Sequence, residues 1–184
     1  MKILAVQSRM GIGDTVIFLP FIKALSKKFN SPISILVKEN SKANQYLHQT
    51  KYIDKILTLE RDNKTNNRHG GFFGIFKLAN DLKKYKFDKI FIFNSSLRFN
   101  LVAKISGIPQ IYQYPLFAKN KQHIVEAPKK FLKKNLDLDI NEDPEVQIDN
   151  DSISKAAQKF QIDKNTTNIL LGICLLYTSD AADD

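Results

Sequence analysis

Cysteine and tryptophan are the residues that this sequence most nearly lacks: it has one cysteine, Cys174, and no tryptophan. A single cysteine excludes an internal disulfide and a cysteine metal cluster. No apolar run approaches the roughly 20 residues of a membrane-spanning helix. Gln7, Ser8 and Arg9 interrupt the amino terminus too early for a secretory signal. These absences predict a cytosolic protein that is stabilised by an ordinary hydrophobic core.

Acidic residues are the second shortage. The 184 residues include 19 Asp and Glu against 28 Lys and Arg, a formal net charge of +9. Such a charge favours anionic partners, namely phosphates, nucleic acid or an acidic membrane surface. Basic and aromatic residues do not interleave as they do in single-strand binders, so nucleic acid is not predicted as a partner. With 43% hydrophobic and 26% charged residues, the composition is ordinary for one soluble α/β domain.

The stretch from Lys2 to Phe29 predicts a buried strand, a glycine turn and an amphipathic helix, which together form the first unit of a doubly wound α/β domain. In that architecture ligands bind at the carboxyl ends of the strands. Gly11, Gly13 and Asp14 are therefore predicted to lie at the mouth of the site. The turn is not a dinucleotide fingerprint, because Val16 stands where G-x-G-x-x-G has its third glycine.

Asp14 stands where this helix is expected to start, and two interpretations are open. Its carboxylate can cap the helix by accepting bonds from free N–H groups, or it can act as a base. The helix dipole favours the ionised carboxylate in either case. Pro20 removes a helical backbone hydrogen bond, so a kink or a loose first turn is predicted there.

Four further apolar runs predict the remaining strands, at residues 33–37, 55–59, 89–93 and 110–114. Helical patterns at 38–47, 72–85 and 97–105 alternate with them, which argues for a parallel sheet with right-handed crossovers. In the helix at 72–85 the residues expected to face the core are Phe72, Ile75, Phe76, Ala79 and Leu82, and in the helix at 97–105 they are Leu97, Leu101 and Ile105.

The letters KILAVQSRMGIGDTVIFLPFIKAL resemble the amino-terminal signature of the heptosyltransferases, a bacterial family of lipopolysaccharide core glycosyltransferases. In that family a strand leads into Gly-Asp, an apolar run and Leu-Pro, here Gly13-Asp14 and Leu19-Pro20. The resemblance implies a Rossmann-like amino-terminal domain of the GT-B architecture, in which two such domains face a cleft. It also implies that Asp14 is the catalytic base, with Gly11 and Gly13 on the acceptor side. We therefore favour the base over the cap.

A polar stretch, ERDNKTNNRHGG at residues 60–71, follows the third predicted strand. A loop of this length is usually functional or disordered. It is either a solvated connection or a cationic lid over a phosphorylated or carboxylated acceptor. The resemblance implies the lid, because the family has a basic stretch here that contacts the acidic inner core of the lipid. Arg61, Lys64 and Arg68 are therefore candidate acceptor-binding residues.

Three further acceptor-binding residues are implied by the resemblance. Ser95 and Ser96 occupy a polar turn that the family places near the acceptor, although serines there are also ordinary helix caps. His123 and Glu126 match a family stretch, HxxER, in part, because Ala127 replaces the arginine. No cysteine or second histidine lies near His123, so no metal site is predicted.

The sequence divides into three predicted parts. Residues 1–150 form a Rossmann-like acceptor-side domain, which ends in the acidic stretch DINEDPEVQIDND. Residues 151–173 are interpreted as a linker helix and the first strand of a truncated donor-binding domain. The tail at 174–184 resembles translated adapter sequence from DNA sequencing libraries, and we interpret it as non-native read-through. The second domain is then missing.

These features predict an inverting glycosyltransferase of the heptosyltransferase type. The expected donor is a nucleotide-activated heptose, the expected acceptor is a lipopolysaccharide inner core or another anionic glycan, and no cofactor or metal is expected. The whole enzyme would be cytoplasmic, with a peripheral contact to the inner membrane, and the present chain would be an inactive fragment. Two alternatives stay open: a noncatalytic anion- or phosphate-binding α/β module, in which Asp14 only caps, and another sugar-nucleotide enzyme of the same architecture.

Overall fold

The computed structural model describes residues 1–8, 11–61, 67–116, 123–163 and 165–167. The chain divides into two compact units, Met1–Gln147 and Ile148–Asp184. All the described strands lie in the first unit.

A five-stranded parallel sheet forms the centre of the first unit. Its strands are β1 (Ile3–Val6), β2 (Ile33–Lys38), β3 (Ile53–Leu59), β4 (Lys89–Ile92) and β5 (Gln110–Gln113). They are arranged in the order β3-β2-β1-β4-β5, and every neighbouring pair is parallel. All residues of β1 are buried, because this apolar strand lies in the middle of the sheet and is covered on both faces. The predicted doubly wound α/β fold is confirmed.

The helices described in this unit cover both faces of the sheet. They are α1 (Ile12–Ile17), α2 (Leu19–Phe29), α3 (Ala43–Tyr46), α4 (Phe73–Lys83), α5 (Leu97–Ile105) and α6 (Glu126–Leu136). Helices α2 and α6 pack on one face, and α4 and α5 pack on the other. Strand β1 serves both cores, since Ile3 and Ala5 point to the first face and Leu4 and Val6 to the second.

Aromatic rings fill the core between β4, β5 and α6. Phe91 stacks on Tyr112 with ring centroids 4.6 Å apart. Phe93 and Tyr114 contact Phe131 of α6 edge to face, at 5.5 and 5.1 Å. Such pairs stabilise the fold beyond the burial of their surface. They hold the β4–β5 half of the sheet, and with it the polar turn after β4, against α6.

The helical segment is interrupted at Phe18, close to the predicted kink. Phe18 is the N-cap of α2, and Pro20 lies in the first turn of that helix. Proline is tolerated there because the N–H that it lacks would have no helical partner. The break makes α1 a separate short helix, which carries Asp14.

The stretch 38–47 does not form the single helix that was predicted. It forms a 3-10 turn at Glu39–Ser41 and the short helix α3. Lys42, between the two, has φ = 51°, which no α-helical residue adopts. This left-handed residue divides the predicted helix.

Helix α4 buries a different side from the one predicted. Phe72 and Phe76 were expected in the core, yet 68% and 48% of their surface is exposed. The buried residues of α4 are Gly74, Ile75, Leu78, Ala79 and Leu82. The letters FFGIF are apolar all round the first turn, so their spacing does not decide which side faces the sheet. Packing against the sheet and α5 decides it.

The acidic stretch after α6 runs back along α2. Glu142 forms ion pairs with Lys23, at 3.0 Å, and with Lys27. The side chain of Gln147 accepts a hydrogen bond from the backbone N–H of Lys51. The first unit thus extends through this stretch to Gln147, whereas the assignment of residues 151–173 to a second domain stays a prediction.

The described part of the second unit consists of α7 (Asn150–Lys159) and short flanking segments. Asp149 caps this helix by accepting a hydrogen bond from the Ser152 N–H at 2.7 Å. Its apolar residues Ile153 and Phe160 are exposed. The predicted strand at 168–173 and the tail at 174–184 lie outside the described residues.

None of the helices in the described ranges is both long enough and apolar enough to cross a membrane.

Candidate functional site

The carboxyl ends of β1 and β4 form the topological switch point of the sheet. After β1 the chain builds β2 and β3 on one side, and it then crosses to β4 on the other side of β1. Open α/β sheets bind ligands in the crevice outside the strand ends at such a point. The residues that follow β1 and β4 are therefore the primary candidates for a site.

Asp14 follows β1 and is the third residue of α1. The N-cap position belongs to Gly11, and no side-chain hydrogen bond caps the described start of this helix. Gly11 has φ = 99°, a conformation that favours glycine. A Cβ added to Gly11 would lie 4.0 Å from Asp14 Oδ2. The carboxylate thus lies over the glycine turn, partly exposed, and it is not the N-cap that one interpretation of the sequence made it.

Buried polar side chains hold the backbone around Asp14. Gln7, which is 3% exposed, donates from Nε2 to the Asp14 carbonyl oxygen at 3.3 Å. The buried Thr15 hydroxyl donates to the Gly11 carbonyl oxygen at 3.1 Å. Gly13 is exposed, and a Cβ there would meet no heavy atom of the described residues within 4 Å. The turn is therefore held at its base, and the described residues leave the space next to Gly13 unfilled.

On the neighbouring strand, Asn94 organises the turn after β4. Its Oδ1 accepts a hydrogen bond from the Ser96 N–H at 2.6 Å, and its Nδ2 donates to Ser8 Oγ, after β1, at 2.7 Å. Ser96 is the N-cap of α5 and accepts a hydrogen bond from the Arg98 N–H. Ser96 therefore has the capping role that was one of its two interpretations, and Ser95 lies half-buried beside it. An acceptor contact by either serine stays a prediction.

Gln113, at the end of β5, is a site residue that the sequence did not reveal. Its Nε2 donates to the carbonyl oxygens of Asn94 and Ser96, at 3.0 and 2.9 Å. Its Oε1 accepts a hydrogen bond from Asn100 of α5 at 2.9 Å. Gln113 thereby satisfies backbone groups of the polar turn and positions that turn. No local pattern signals contacts between residues so far apart in the chain.

His69 anchors the polar loop after β3 and is 3% exposed. Its ring Nδ1 accepts a hydrogen bond from the Glu60 backbone N–H at 3.1 Å, and the His69 backbone N–H donates to the Glu60 carbonyl oxygen at 2.9 Å. Because Nδ1 accepts, the ring proton is on Nε2, which faces Asp81 Oδ2 at 3.2 Å. His69 therefore joins the two ends of the loop to each other and to α4.

The carboxylate of Asp81 in α4 forms ion pairs with basic side chains next to His69. Arg68 contacts this carboxylate at 2.8 Å and Lys84 contacts it at 3.2 Å. Burial raises the pKa of Asp81, but hydrogen bonds from His69 and Lys84 and the charge of Arg68 outweigh burial, so this pKa lies below its usual value. A lowered pKa means that the carboxylate stabilises the fold above its unfolded pKa, and that this contribution is lost as the pH falls through its folded pKa.

Helix α4 lies directly against the base of the loop at Gly74. A Cβ at Gly74 would overlap the carbonyl group of His69, so this approach requires glycine. Arg98 of α5 donates to the carbonyl oxygens of His69 and Gly71, the latter at 2.8 Å. The loop base is therefore joined to both helices that cover this face of the sheet.

We predict that His69→Ala lowers the free energy of unfolding by about 1–3 kcal/mol, because it removes the partner of the Glu60 N–H and one partner of Asp81. Denaturant unfolding at neutral pH measures this change. His48→Ala is the matched control, since His48 is exposed and its loss should change the free energy by less than about 0.5 kcal/mol. Equal stabilities of the two variants would contradict the anchoring role.

Six of the predicted site residues follow strands of the sheet at their carboxyl ends, but they do so at three different strands. Gly11, Gly13 and Asp14 follow β1, and the two serines follow the adjacent strand β4. Arg61 follows β3, two strand spacings, or about 10 Å, from β1 along the rim, and it is exposed.

The three other predicted acceptor residues are Arg68, Lys64 and His123. Arg68 is exposed but paired with Asp81, and Lys64 lies outside the described residues. His123 is exposed before α6, where its Nδ1 accepts a hydrogen bond from the nearby Val125 N–H at 3.4 Å. Acceptor binding by these residues stays a prediction. In the described ranges, no group of three or more His, Cys, Asp or Glu side chains could hold a metal ion.

Solved structures that share this fold include glycosyltransferases. A glycosyl transferase family 9 structure from Veillonella parvula DSM 2008 matches with a TM-score of 0.67 and 18% identity, over 87% of this chain and 49% of that one. The E. coli ADP-heptose lipopolysaccharide heptosyltransferase II matches with a TM-score of 0.59 and 16% identity, over 89% and 52% of the two chains. The chain resembles the heptosyltransferases in fold.

A further heptosyltransferase structure, E. coli WaaC with ADP-2-deoxy-2-fluoro heptose, matches with a TM-score of 0.51 and 12% identity, over 77% of this chain and 50% of that one. At such identities the likeness concerns the fold. The chain spans about half the length of these glycosyltransferase structures. No protein-family model and no curated protein sequence matches the chain. The resemblance to heptosyltransferases that the Gly-Asp and Leu-Pro signature predicted is confirmed at the level of the fold.

Proposed function

We propose that this chain is the acceptor-side domain of an inverting glycosyltransferase of the heptosyltransferase type. The observation that carries the proposal is the position of the Asp14 carboxylate. It is partly exposed, lies close to Gly11 in a turn whose Gly13 is exposed, and stands at the switch point of a sheet with the heptosyltransferase fold. A carboxylate in such a place can accept a proton from a hydroxyl group that is held against the turn.

In the proposed reaction an acceptor hydroxyl oxygen attacks the anomeric carbon of a nucleotide-activated heptose. The new glycosidic bond forms as the bond from the anomeric carbon to the diphosphate oxygen breaks, and the hydroxyl proton passes to Asp14. A single displacement inverts the configuration at the anomeric carbon. The nucleoside diphosphate leaves with the bonding electron pair. Basic side chains and helix N-termini can stabilise its charge without a cofactor.

An anionic acceptor fits the chain's formal charge of +9. Arg61 is exposed where the loop leaves β3, at the rim that carries Asp14, and Arg68 is exposed near the other end of the loop, where it contacts Asp81 of α4. A phosphorylated or carboxylated inner-core glycan would be attracted to these cations. Such a glycan is anchored in lipid, so the proposed enzyme would work at the cytoplasmic face of the inner membrane.

The donor site belongs, in this proposal, to a second domain. The two E. coli structures are described with ADP-heptose or hold ADP-2-deoxy-2-fluoro heptose, and this chain spans about half of each. We assign the groups that hold the nucleotide heptose to the half that this chain does not span. Positioning both reactants across the cleft would supply much of the rate acceleration.

The direct test of the proposed function is transfer by the full-length enzyme. It is incubated with ADP-heptose and a lipopolysaccharide core that lacks the terminal heptose, and the product is analysed by mass spectrometry. An increase in mass by one heptose, with an inverted anomeric centre, is expected. A folded enzyme that transfers no sugar from any nucleotide donor, yet binds inorganic phosphate, would replace the proposal with the noncatalytic anion-binding module.

A second prediction concerns the 184-residue chain alone. We expect it not to bind ADP-heptose in the micromolar range, because the donor-holding groups are assigned elsewhere. Isothermal titration calorimetry measures this directly. Micromolar binding would mean that the donor site lies on the rim of this domain, and the acceptor assignment of Asp14 would be wrong.

A further inference from the structure

A cluster of exposed aromatic rings lies at the start of α4. Phe72, Phe73 and Phe76 are 68%, 77% and 48% exposed. Phe72 contacts the other two rings edge to face, with centroid distances of 6.1 and 5.6 Å. The rings therefore bury part of their surface against one another and leave most of it exposed. Apolar side chains that gather on a surface mark an interaction site, whereas scattered ones are ordinary.

Helix α5 continues this apolar surface. Leu97, Leu101 and Ile105 were expected in the core, but they are 44%, 44% and 43% exposed, because α5 buries Phe99, Val102 and Ala103 instead. The three exposed residues recur at every fourth position and so lie along one side of the helix. Helices α4 and α5 cover the same face of the sheet and are joined where Arg98 meets the loop base and where Ser106 Oγ donates to the Ala79 carbonyl oxygen at 3.1 Å. We call the exposed sides of these two helices the α4–α5 face.

The α4–α5 face is also cationic. Lys77, Lys83 and Lys104 are exposed on the two helices. The one carboxylate that these helices carry, Asp81, already contacts Arg68, His69 and Lys84. Exposed lysines and exposed phenylalanine and leucine on the same two helices give a surface that is both apolar and positive.

The opposite face of the sheet differs in one respect. Helices α2 and α6 are rich in lysine as well, among them Lys130 and Lys134. None of the large apolar residues in these two helices is exposed. Positive charge is thus general to the first unit, while the combination of charge and exposed apolar surface is particular to the α4–α5 face among the described helices of that unit.

We propose that the α4–α5 face docks onto an anionic lipid bilayer. The phenylalanine rings would enter the boundary between headgroups and acyl chains, and the lysines would contact anionic headgroups. A second copy of the chain is a poorer occupant, because a two-fold contact would bring the same lysines against one another without a carboxylate to offset them. The inference does not rest on glycosyl transfer, although the aromatic cluster follows the loop of the rim that carries Asp14.

Vesicle co-sedimentation of the 184-residue chain tests the proposal. The chain should bind vesicles of equimolar phosphatidylcholine and phosphatidylglycerol, should bind vesicles of phosphatidylcholine far less, and should release with rising salt. Phe72→Ser/Phe73→Ser/Phe76→Ser should weaken binding to the mixed vesicles by about tenfold or more. Circular dichroism checks that this variant folds. If it does not, Phe73→Ser alone replaces it and should weaken binding several-fold, since Phe73 is the most exposed of the three rings.

A matched pair of charge variants locates the contact. Lys77→Gln/Lys104→Gln should weaken binding to the mixed vesicles and flatten its salt dependence, whereas Lys130→Gln/Lys134→Gln, with the same loss of charge on α6, should do neither. Equal binding by parent and phenylalanine variants would overturn the proposal, as would equal effects of the two lysine pairs. A dimer in sedimentation equilibrium that the phenylalanine variant abolishes, with no vesicle binding by the parent, would show self-association instead.

Discussion

Asp14→Asn is expected to lower the turnover of the full-length enzyme by about 10² to 10⁴-fold. Asparagine keeps the size of the side chain but cannot take up the proton of the attacking hydroxyl. The fold should survive, because Asp14 is partly exposed and is not the N-cap of α1. Transfer rates at saturating donor and acceptor measure the loss, and thermal unfolding verifies that the variant is intact.

Asp143→Asn is the matched control for this substitution. Asp143 is exposed in the acidic stretch after α6, far along the chain from the switch point, and its replacement should leave turnover unchanged. If Asp14→Asn also retains full turnover, the carboxylate has a structural role only and the proposed mechanism is wrong.

The triple variant Arg61→Ser/Lys64→Ser/Arg68→Ser is expected to weaken capture of a phosphorylated acceptor by about 10- to 100-fold at low salt. Exposed ion pairs contribute up to about 1 kcal/mol each, and exposed charges are screened beyond about 10 Å at 0.1 M salt. The difference from the parent should therefore shrink as salt is added. Stability should change little, since the ion pair of Arg68 with Asp81 leaves the arginine side chain 48% exposed.

Acceptor affinity across a salt series is the measurement, and Lys129→Ser/Lys130→Ser/Lys134→Ser on α6 is the control. It removes the same charge from the far face of the sheet, so it tests whether the position of the cations matters as well as their number. An affinity that is the same in the loop variant and the parent at every salt concentration would leave residues 60–71 as a connection only.

Much of the fold could be predicted from local patterns. The strands at 33–37 and 89–93 appear as β2 and β4 with nearly the predicted bounds. Short apolar runs bounded by polar and turn-forming residues have few other structures open to them. The break near Pro20 was predictable for the same kind of reason, because it follows from one missing N–H group. The undivided helix at 38–47 was wrong, since its pattern does not show the left-handed turn at Lys42.

The candidate site could be predicted only in part. The position of Asp14 after the carboxyl end of the first strand follows from the pattern of strand, glycine turn and helix and from the Gly-Asp signature, whereas the order of strands that makes this place a switch point comes from the structure. The contacts that stabilise the loops around the site could not be predicted. Gln113 of β5 donates a hydrogen bond to Asn94 in the turn after β4, and His69 in the loop after β3 contacts Asp81 of α4. Each of these pairs joins residues whose neighbours in sequence carry no sign of the partner.

The sequence by itself determined the alternation of strands and helices, the parallel sheet, and the placement of Asp14 after the first strand. These depend on residues close together in the chain, whose spacing and backbone limits act locally. Only the tertiary structure decided that Phe72 and Phe76 are exposed, that His69 is buried, and that Gln113 supports the polar turn. Those outcomes depend on which surfaces of α4, α5 and β5 contact each other in the folded protein. Local periodicity allows several such arrangements, and close packing between segments that are distant in the chain selects one of them.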